Sequence, residues 1–235
     1  LEAYSRMLKD VKASHILISV DEKSTEKEQS LAHEKALSIR TEILNQKISF
    51  SNAAKKYSDD KSALSNGGSL SYFTVFMMVY DFETAAYNTN IGELSMPVKT
   101  KYGYHIIKVD DIRDAVGQVQ VAHIMFKTGE GADEKRLNVA KYKINQALEK
   151  LNSGEDFSDV AERFSEDRST AVKGGRLPAF GVGKMVPEFE DVAFKLQEIG
   201  EVSQPFRTKF GWHIITLLNK EGIPDLESIK PEIKK

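Results

Sequence analysis

The feature that most limits what this chain can fold into is an internal repeat with a long, steady offset. Gly67-Gly68-Ser69-Leu70-Ser71-Tyr72-Phe73 returns as Gly174-Gly175-Arg176-Leu177-Pro178-Ala179-Phe180, 107 residues on. Lys101-Tyr102-Gly103-Tyr104-His105-Ile106-Ile107 returns 108 residues on as Lys209-Phe210-Gly211-Trp212-His213-Ile214-Ile215, and His15 finds its counterpart, His123, at the same distance. A period this long exceeds the roughly 20–50 residues of solenoid repeats. The chain is therefore a duplicated domain, and its two copies can be compared with each other.

Copies of roughly 100 residues fall at the common domain size, large enough for each to bury a core. The formal charge is −2, with Lys and Arg dispersed, so the basic field that nucleic acid needs is missing and no such partner is expected. No apolar run reaches the ~18 residues of a membrane span. The absence of cysteine excludes disulfides, thiolate catalysis and cysteine-ligated metal. The chain starts at Leu1 with no secretory signal, as a mature form or a fragment would.

Each copy reads as an α+β unit. Val11 to Ser19 is β-rich, and Thr25-Glu26-Lys27-Glu28 has the spacing of a capping box. Ala32, Ala36, Ile39 and Ile43 then mark the buried face of a helix. Shorter helices are expected around Phe50–Tyr57 and Asp81–Tyr87, followed by a hairpin of Pro97–Thr100 and Tyr104–Val109 turning at Tyr102-Gly103. The second copy repeats this with Leu137, Ala140, Ile144, Ala147, Leu148 and Leu151, then Phe157, Val160, Ala161 and Phe164. Strands separated by helices and closed by a hairpin imply antiparallel sheets packed by helices.

Few polar residues survive in both copies: His15/His123, Ser58/Ser165, Asp60/Asp167, His105/His213 and Thr100/Thr208. The retained apolar residues around them are Leu70/Leu177, Phe73/Phe180, Met78/Met185 and Phe82/Phe189. A single strand histidine is more often a hydrogen-bonded core residue than a functional one. Glycine pairs and turn aspartates likewise serve as punctuation. His33, without a counterpart, reads as solvated surface. The joint recurrence of the whole constellation is what points beyond packing.

Five segments, in order and twice over, resemble the parvulin-type peptidyl-prolyl isomerases: His15-Ile16-Leu17, Tyr57-Ser58-Asp59-Asp60, Gly67 to Phe73, Met78 to Glu83 and Gly103 to Ile107. Their second-copy counterparts include Phe164-Ser165-Glu166-Asp167 and Gly183 to Glu190. The resemblance covers nearly all of residues 11–220, and the tandem arrangement resembles the SurA-like folding factors of the Gram-negative periplasm. It implies two parvulin-like domains at 11–114 and 119–220, each a four-stranded, mainly antiparallel sheet with three to four helices. Residues 1–10 and 115–118 are then linkers and 221–235 an extension, and the client-binding segments that flank such units in that group are expected to be absent.

By the same resemblance, His123, Asp167 and His213, and in the first copy His15, Asp60 and His105, are catalytic. Leu177, Met185 and Phe189 form a proline slot supported by Phe180, and Thr208 backs the histidines. Leu70, Phe73, Met78, Phe82 and Thr100 are the first-copy equivalents. Catalysis is expected to be non-covalent, without metal or cofactor, on X-Pro bonds of unfolded or secreted proteins in the periplasm, the second copy being the main catalyst. The alternative is a chaperone module that holds extended, aromatic-rich outer-membrane clients and has little isomerase activity. A His/Asp metal site is the third reading, weakened by the lack of close ligand spacing. Phe76 and Tyr80 replace Gly183 and Pro187, a change expected to alter the first rim loop and crowd or extend its slot. The loops Asp21–Glu28 and Lys127–Glu134 offer no arginine fork, so phosphate-specific recognition is not expected.

Overall fold

The duplication reappears as two units, each built on its own antiparallel sheet. The computed structural model describes residues 2–233. One unit runs to Ala115 and includes the C-terminal helix; the other spans Val116–Pro224. The first contains α1 (Glu2–Met7), β1 (Lys9–Ser19), α2 (Glu26–Leu44), α3 (Phe50–Tyr57), α4 (Ala63–Asn66), β2 (Ser69–Phe73), α5 (Tyr80–Tyr87), β3 (Val98–Thr100) and β4 (Gly103–Asp114). Its sheet runs β2-β1-β4-β3, antiparallel throughout. The second contains β5 (Gln118–Lys127), α6 (Glu134–Asn152), α7 (Phe157–Phe164), α8 (Arg168–Ala171), α9 (Pro187–Ala193), β6 (Phe206–Thr208) and β7 (Gly211–Glu221), with sheet order β5-β7-β6. The last helix, α10 (Leu226–Ile233), belongs to the first unit.

Two features of the architecture differ from expectation. The second sheet has three continuous strands rather than four. Its fourth is reduced to bridges at Ala122↔Arg176 and Val119↔Phe180, because Pro178 stands where the first copy has Ser71 and has no N–H to give to a ladder. Residues 2–10 are also structured: α1 forms, and Lys9 and Asp10 extend the ladder to Asp114 and Arg113. Their partners lie a hundred residues away, beyond the reach of any local pattern.

The local signals act as their chemistry requires. Thr25 and Glu28 close the capping box that starts α2. The sheet then sorts its residues by the two-residue period of a strand. Ile16, Ile18 and Ile106 face α2 and α3 with Ala36, Ile39, Ala53 and Ala54. Val11, Ala13, Ile107 and Val109 face the other way, onto Phe73, Phe82 and Ala86. His15 and His105 share the parity of this second set, so both sit on the α5 side. In the second unit Ile124, Phe126 and Ile214 face α6 and α7, while Val121, Ile215 and Leu217 face Phe180, Phe189 and Ala193. His33 is half-buried against the Tyr104 ring at 5.0 Å, not solvated as its charged context implied.

Candidate active site

In the register of β1 with β4, His15 pairs with Ile107 and Leu17 with His105, which makes the two histidines diagonal neighbours on one face. His123 and His213 stand in the same relation across β5 and β7. All four are buried or nearly so. The aspartates come from the turn after α3 or α7. That turn is stitched to the strand by the Asp59 amide on the Leu17 carbonyl (2.8 Å) and the Leu17 amide on the Ser58 hydroxyl (3.1 Å). Glu166 and Ser165 repeat the stitch on Met125 at 2.7 and 3.1 Å. Ser58 and Ser165 thus survive duplication because they hold the aspartate loop against its histidine.

The hydrogen-bond chemistry of the first unit fixes each proton. Asp60 can only accept, so His15 Nε2–H donates to it at 2.9 Å. His15 Nδ1 is then the acceptor for His105 Nδ1–H at 3.3 Å, and His105 Nε2 accepts from the Thr100 hydroxyl at 2.8 Å. The second unit carries Thr208 to His213 Nε2 (2.9 Å) and His123 Nε2–H to Asp167 (2.9 Å). Its rings stack at 6.0 Å instead of 5.5 Å, and neither Nδ1 has a hydrogen-bond partner among the described residues. A direct histidine–histidine bond is therefore formed only in the first copy. Thr170, in place of Ala63, also lies 2.9 Å from His123 Nε2 and 2.8 Å from Asp167 Oδ2, drawing the His123 ring toward α8.

A pocket of about 650 Å³ opens over the second pair, within the roughly 300–1,000 Å³ of ligand sites. His123, His213 and Thr208 form its polar side, and Leu177, Met185 and Phe189 its apolar side. The Phe189 edge meets the His213 ring at 5.7 Å, and Phe180 stands behind Phe189 at 6.0 Å. Asp167 is not in the pocket wall; it lies behind His123, at the far ring nitrogen. Met125, Phe210, Lys127, Arg136 and Lys209 line the pocket without having been anticipated. Phe206 stacks on His213 at 5.4 Å, where the first copy has Val98. In the first unit Phe82 meets His15 and His105 edge-on at 5.7 and 5.3 Å, Phe73 backs it, and Leu70 and Met78 pack on the same cluster. Among the described residues, no three His, Asp or Glu side chains converge as a metal set would.

The glycine pair is more than punctuation. Gly175 has φ +78°, and a Cβ there would lie 2.3 Å from the His123 carbonyl oxygen. Only glycine lets this turn approach the histidine strand. The rim loops are braced from below by buried glutamates: Glu190 accepts from the amides of Gly183, Lys184 and Met185 at 3.1, 2.8 and 2.8 Å. Phe76 keeps φ at +67°, close to the +75° of Gly183, and its side chain is 70% exposed. The first rim loop thus retains the glycine backbone, at a cost in strain, and the phenyl points to solvent. At Phe76 the expected change of backbone does not occur.

Burial pushes His213 down to about 3, helped by neighbouring His123, and His105 down to about 4, helped by His15. Burial also lowers His123, against the pull of Asp167. Burial alone would raise Asp167, but hydrogen bonds from Ser169, Thr170 and His123 outweigh it and hold the carboxyl at about 2. Asp60 is lowered in the same way, its burial outweighed by Ser62 and His15. His105 and His213 are therefore neutral at working pH. A histidine depressed in the fold is protonated first in the unfolded chain, so stability is full above pH 6.5 and falls as pH drops toward 3. Going from pH 7 to 5 should cost the second unit about 2 kcal/mol through His213, and His213→Gln should flatten that slope. The depressed aspartate adds its own loss only below about pH 4. Urea titrations followed by Trp212, the single tryptophan, would measure it; an unchanged slope in His213→Gln contradicts it.

Known proteins converge on the same reading. The PPIC-type PPIASE domain matches residues 1–113 and again residues 123–219. The chain is 32% identical over 212 residues to Chaperone SurA of Nitrosococcus oceani, covering 88% of this chain and 48% of that one. It is 36% identical over 216 residues to Chaperone SurA of Methylobacillus flagellatus (90% and 48%), and 44% over 126 residues to Foldase protein PrsA 4 of Bacillus cereus (53% and 40%). It thus spans about half the length of the curated relatives it matches. A crystal structure of peptidylprolyl isomerase (PrsA) from Bacillus cereus is 43% identical over 51% of this chain and 42% of that one, with a TM-score of 0.39. With the domain matched once in each unit, and the same His, Asp and Thr set built twice, this chain belongs to the PPIC-type, or parvulin, peptidyl-prolyl isomerase family as a tandem of two such domains.

Proposed function

We propose that the chain is a peptidyl-prolyl cis-trans isomerase acting without a covalent intermediate on X-Pro bonds of unfolded or secreted polypeptides. The second unit, 119–220, carries most of the activity, and the first, 11–114, binds prolyl segments with weaker turnover. The observation that carries the reading is a neutral, fully buried histidine pair beside the apolar pocket of Leu177, Met185 and Phe189. A periplasmic setting rests on the resemblance to SurA-like factors. No helix among the described residues is long and apolar enough to cross a membrane.

The chemistry needs no bond broken. Amide conjugation sets a barrier of about 18–20 kcal/mol to rotation, and a catalyst lowers it by binding the twisted state better than either planar one. The apolar slot grips the proline ring and removes water from the carbonyl of the rotating amide, which belongs to the residue before proline, and loss of that hydration favours the less conjugated, twisted amide. Keeping His123 and His213 uncharged keeps this wall of the pocket dry. Asp167 and Thr208 act through the rings by fixing which nitrogen carries the proton. On a proline tetrapeptide, His213→Ala in the full chain should remove most activity and His105→Ala little. The reverse order would overturn the assignment.

The rim adds a charge preference. Lys127, Arg136 and Lys209 face one Glu130, whereas the equivalent first-copy positions are Ser19, Glu28, Lys101 and Glu22. Arg136 enters from the first turn of α6, outside the loop in which an arginine was sought. Exposed pairs are worth about 0.2–1 kcal/mol. Peptides with Glu beside the proline should therefore show kcat/KM up to about fivefold above those with Lys, with the ratio shrinking in 0.5 M salt. Equal values at low salt would remove the rim from recognition.

A further inference from the structure

Glu83 and Glu190 are equivalent and equally buried, at 3% and 5% exposure, yet they brace their loops differently. Glu190 takes three rim amides. Glu83 takes one, the Phe76 amide at 2.6 Å on Oε2, because Oε1 is held by Arg6 Nη1 at 3.2 Å. The Met77 amide turns instead to the Thr74 carbonyl at 3.3 Å.

Arg6 sits in a socket that only the first copy has. It is 6% exposed, with its guanidinium 5.6 Å from the Tyr80 ring centre and 5.5 Å from that of Tyr87. Its Nη2 donates to the Thr84 hydroxyl at 3.1 Å and to Glu2. At the positions of Tyr80, Thr84 and Tyr87 the second copy has Pro187, Asp191 and Phe194. One contact thus accounts for three of the differences between the copies, including the tyrosine that replaces a rim proline.

We infer that Arg6 is a positioning residue for the first unit's prolyl slot. By occupying one oxygen of Glu83, it withholds the three-amide brace from the loop that carries Met78. Docking of α1 therefore leaves this rim more adaptable than the second. The slot itself rests on the isomerase reading above; the loop effect does not.

The test uses the full chain with Arg6→Met, which keeps an aliphatic cover over Tyr80 and Tyr87, and Arg6→Lys, which restores one charged donor. In Arg6→Met, Glu83 regains both oxygens. Amide exchange at Met77 and Met78 should then slow roughly tenfold, the worth of about one hydrogen bond, and the Met78 methyl resonance should shift. Arg6→Lys should stay near the parent, and the Gly183–Met185 amides should not move. Unchanged or faster exchange at Met77 and Met78 in Arg6→Met, with changes confined to α1 and α5, would overturn the inference. A proline peptide titrated into the same samples separates the two claims: a loop that tightens while the peptide leaves Met78 unperturbed fails the slot reading, not Arg6.

Discussion

Asp167→Asn should lower prolyl isomerisation by the full chain about 100-fold, in the range seen when one preorganised electrostatic group is lost, with little change in fold. Asparagine has nearly the same shape, but its amide can donate where the carboxylate could only accept. A donor facing His123 Nε2 would drive the ring proton to Nδ1, toward His213. The Thr208 hydroxyl can serve His213 Nε2 as donor or acceptor, so the moved proton either opposes a second Nδ1–H or draws the two rings into a direct bond. One ring must turn, and the Phe189 edge packed on both must move with it. Nitrogen-15 shifts of the imidazoles would show the tautomer change directly, while coupled peptide assays measure the rate. Client holding should be unaffected. Asp60→Asn should cost little total activity if the second unit dominates, and full activity in Asp167→Asn would end the case for a proton-fixed pair.

The largest stability effect is expected at Glu190. Its carboxylate sits under the rim loop and satisfies three amides that no other group among the described residues is shown to bond. Glu190→Ala strands all three and opens a space beneath Met185. Each unsatisfied buried donor costs about 1–3 kcal/mol. Two of the three residues are exposed, so water recovers part of that loss once the loop lifts, leaving about 3 kcal/mol. Glu190→Gln keeps one acceptor oxygen and should lose about half as much. Denaturant unfolding followed at Trp212 reports this unit. A loss below about 0.5 kcal/mol, the size of an ordinary surface change, would mean the brace is dispensable.

The pattern of what was legible has a physical logic. The α2 capping box, the Ala32–Ile43 stripe and the Val98–Gly103 hairpin are local devices, and the sequence states them outright. The histidine, aspartate and threonine set was legible because duplication kept it. Comparison of two copies cannot reveal what only one possesses, so Thr170 opposite Ala63, Phe206 opposite Val98 and Arg136 opposite Glu28 stayed hidden. Glu83 and Glu190 were in view but open a helix, where acidic residues ordinarily serve the helix dipole and face water. The Phe76 expectation failed for another reason: backbone geometry held by Glu83 overrode the residue's own preference, and the side chain moved outward instead.

The diagonal placement of the histidines carries one more consequence. The two rings of each pair lie 90 residues apart in sequence, on the first and last long strands of their unit, and meet only when those strands are in register. A slip of one residue would send one ring to the opposite face. No fragment lacking the final hairpin can assemble the pair, so during synthesis it forms in each unit only once the last strand is in place. The histidine pair is thereby a late feature of each unit, complete only when the sheet that carries it is complete.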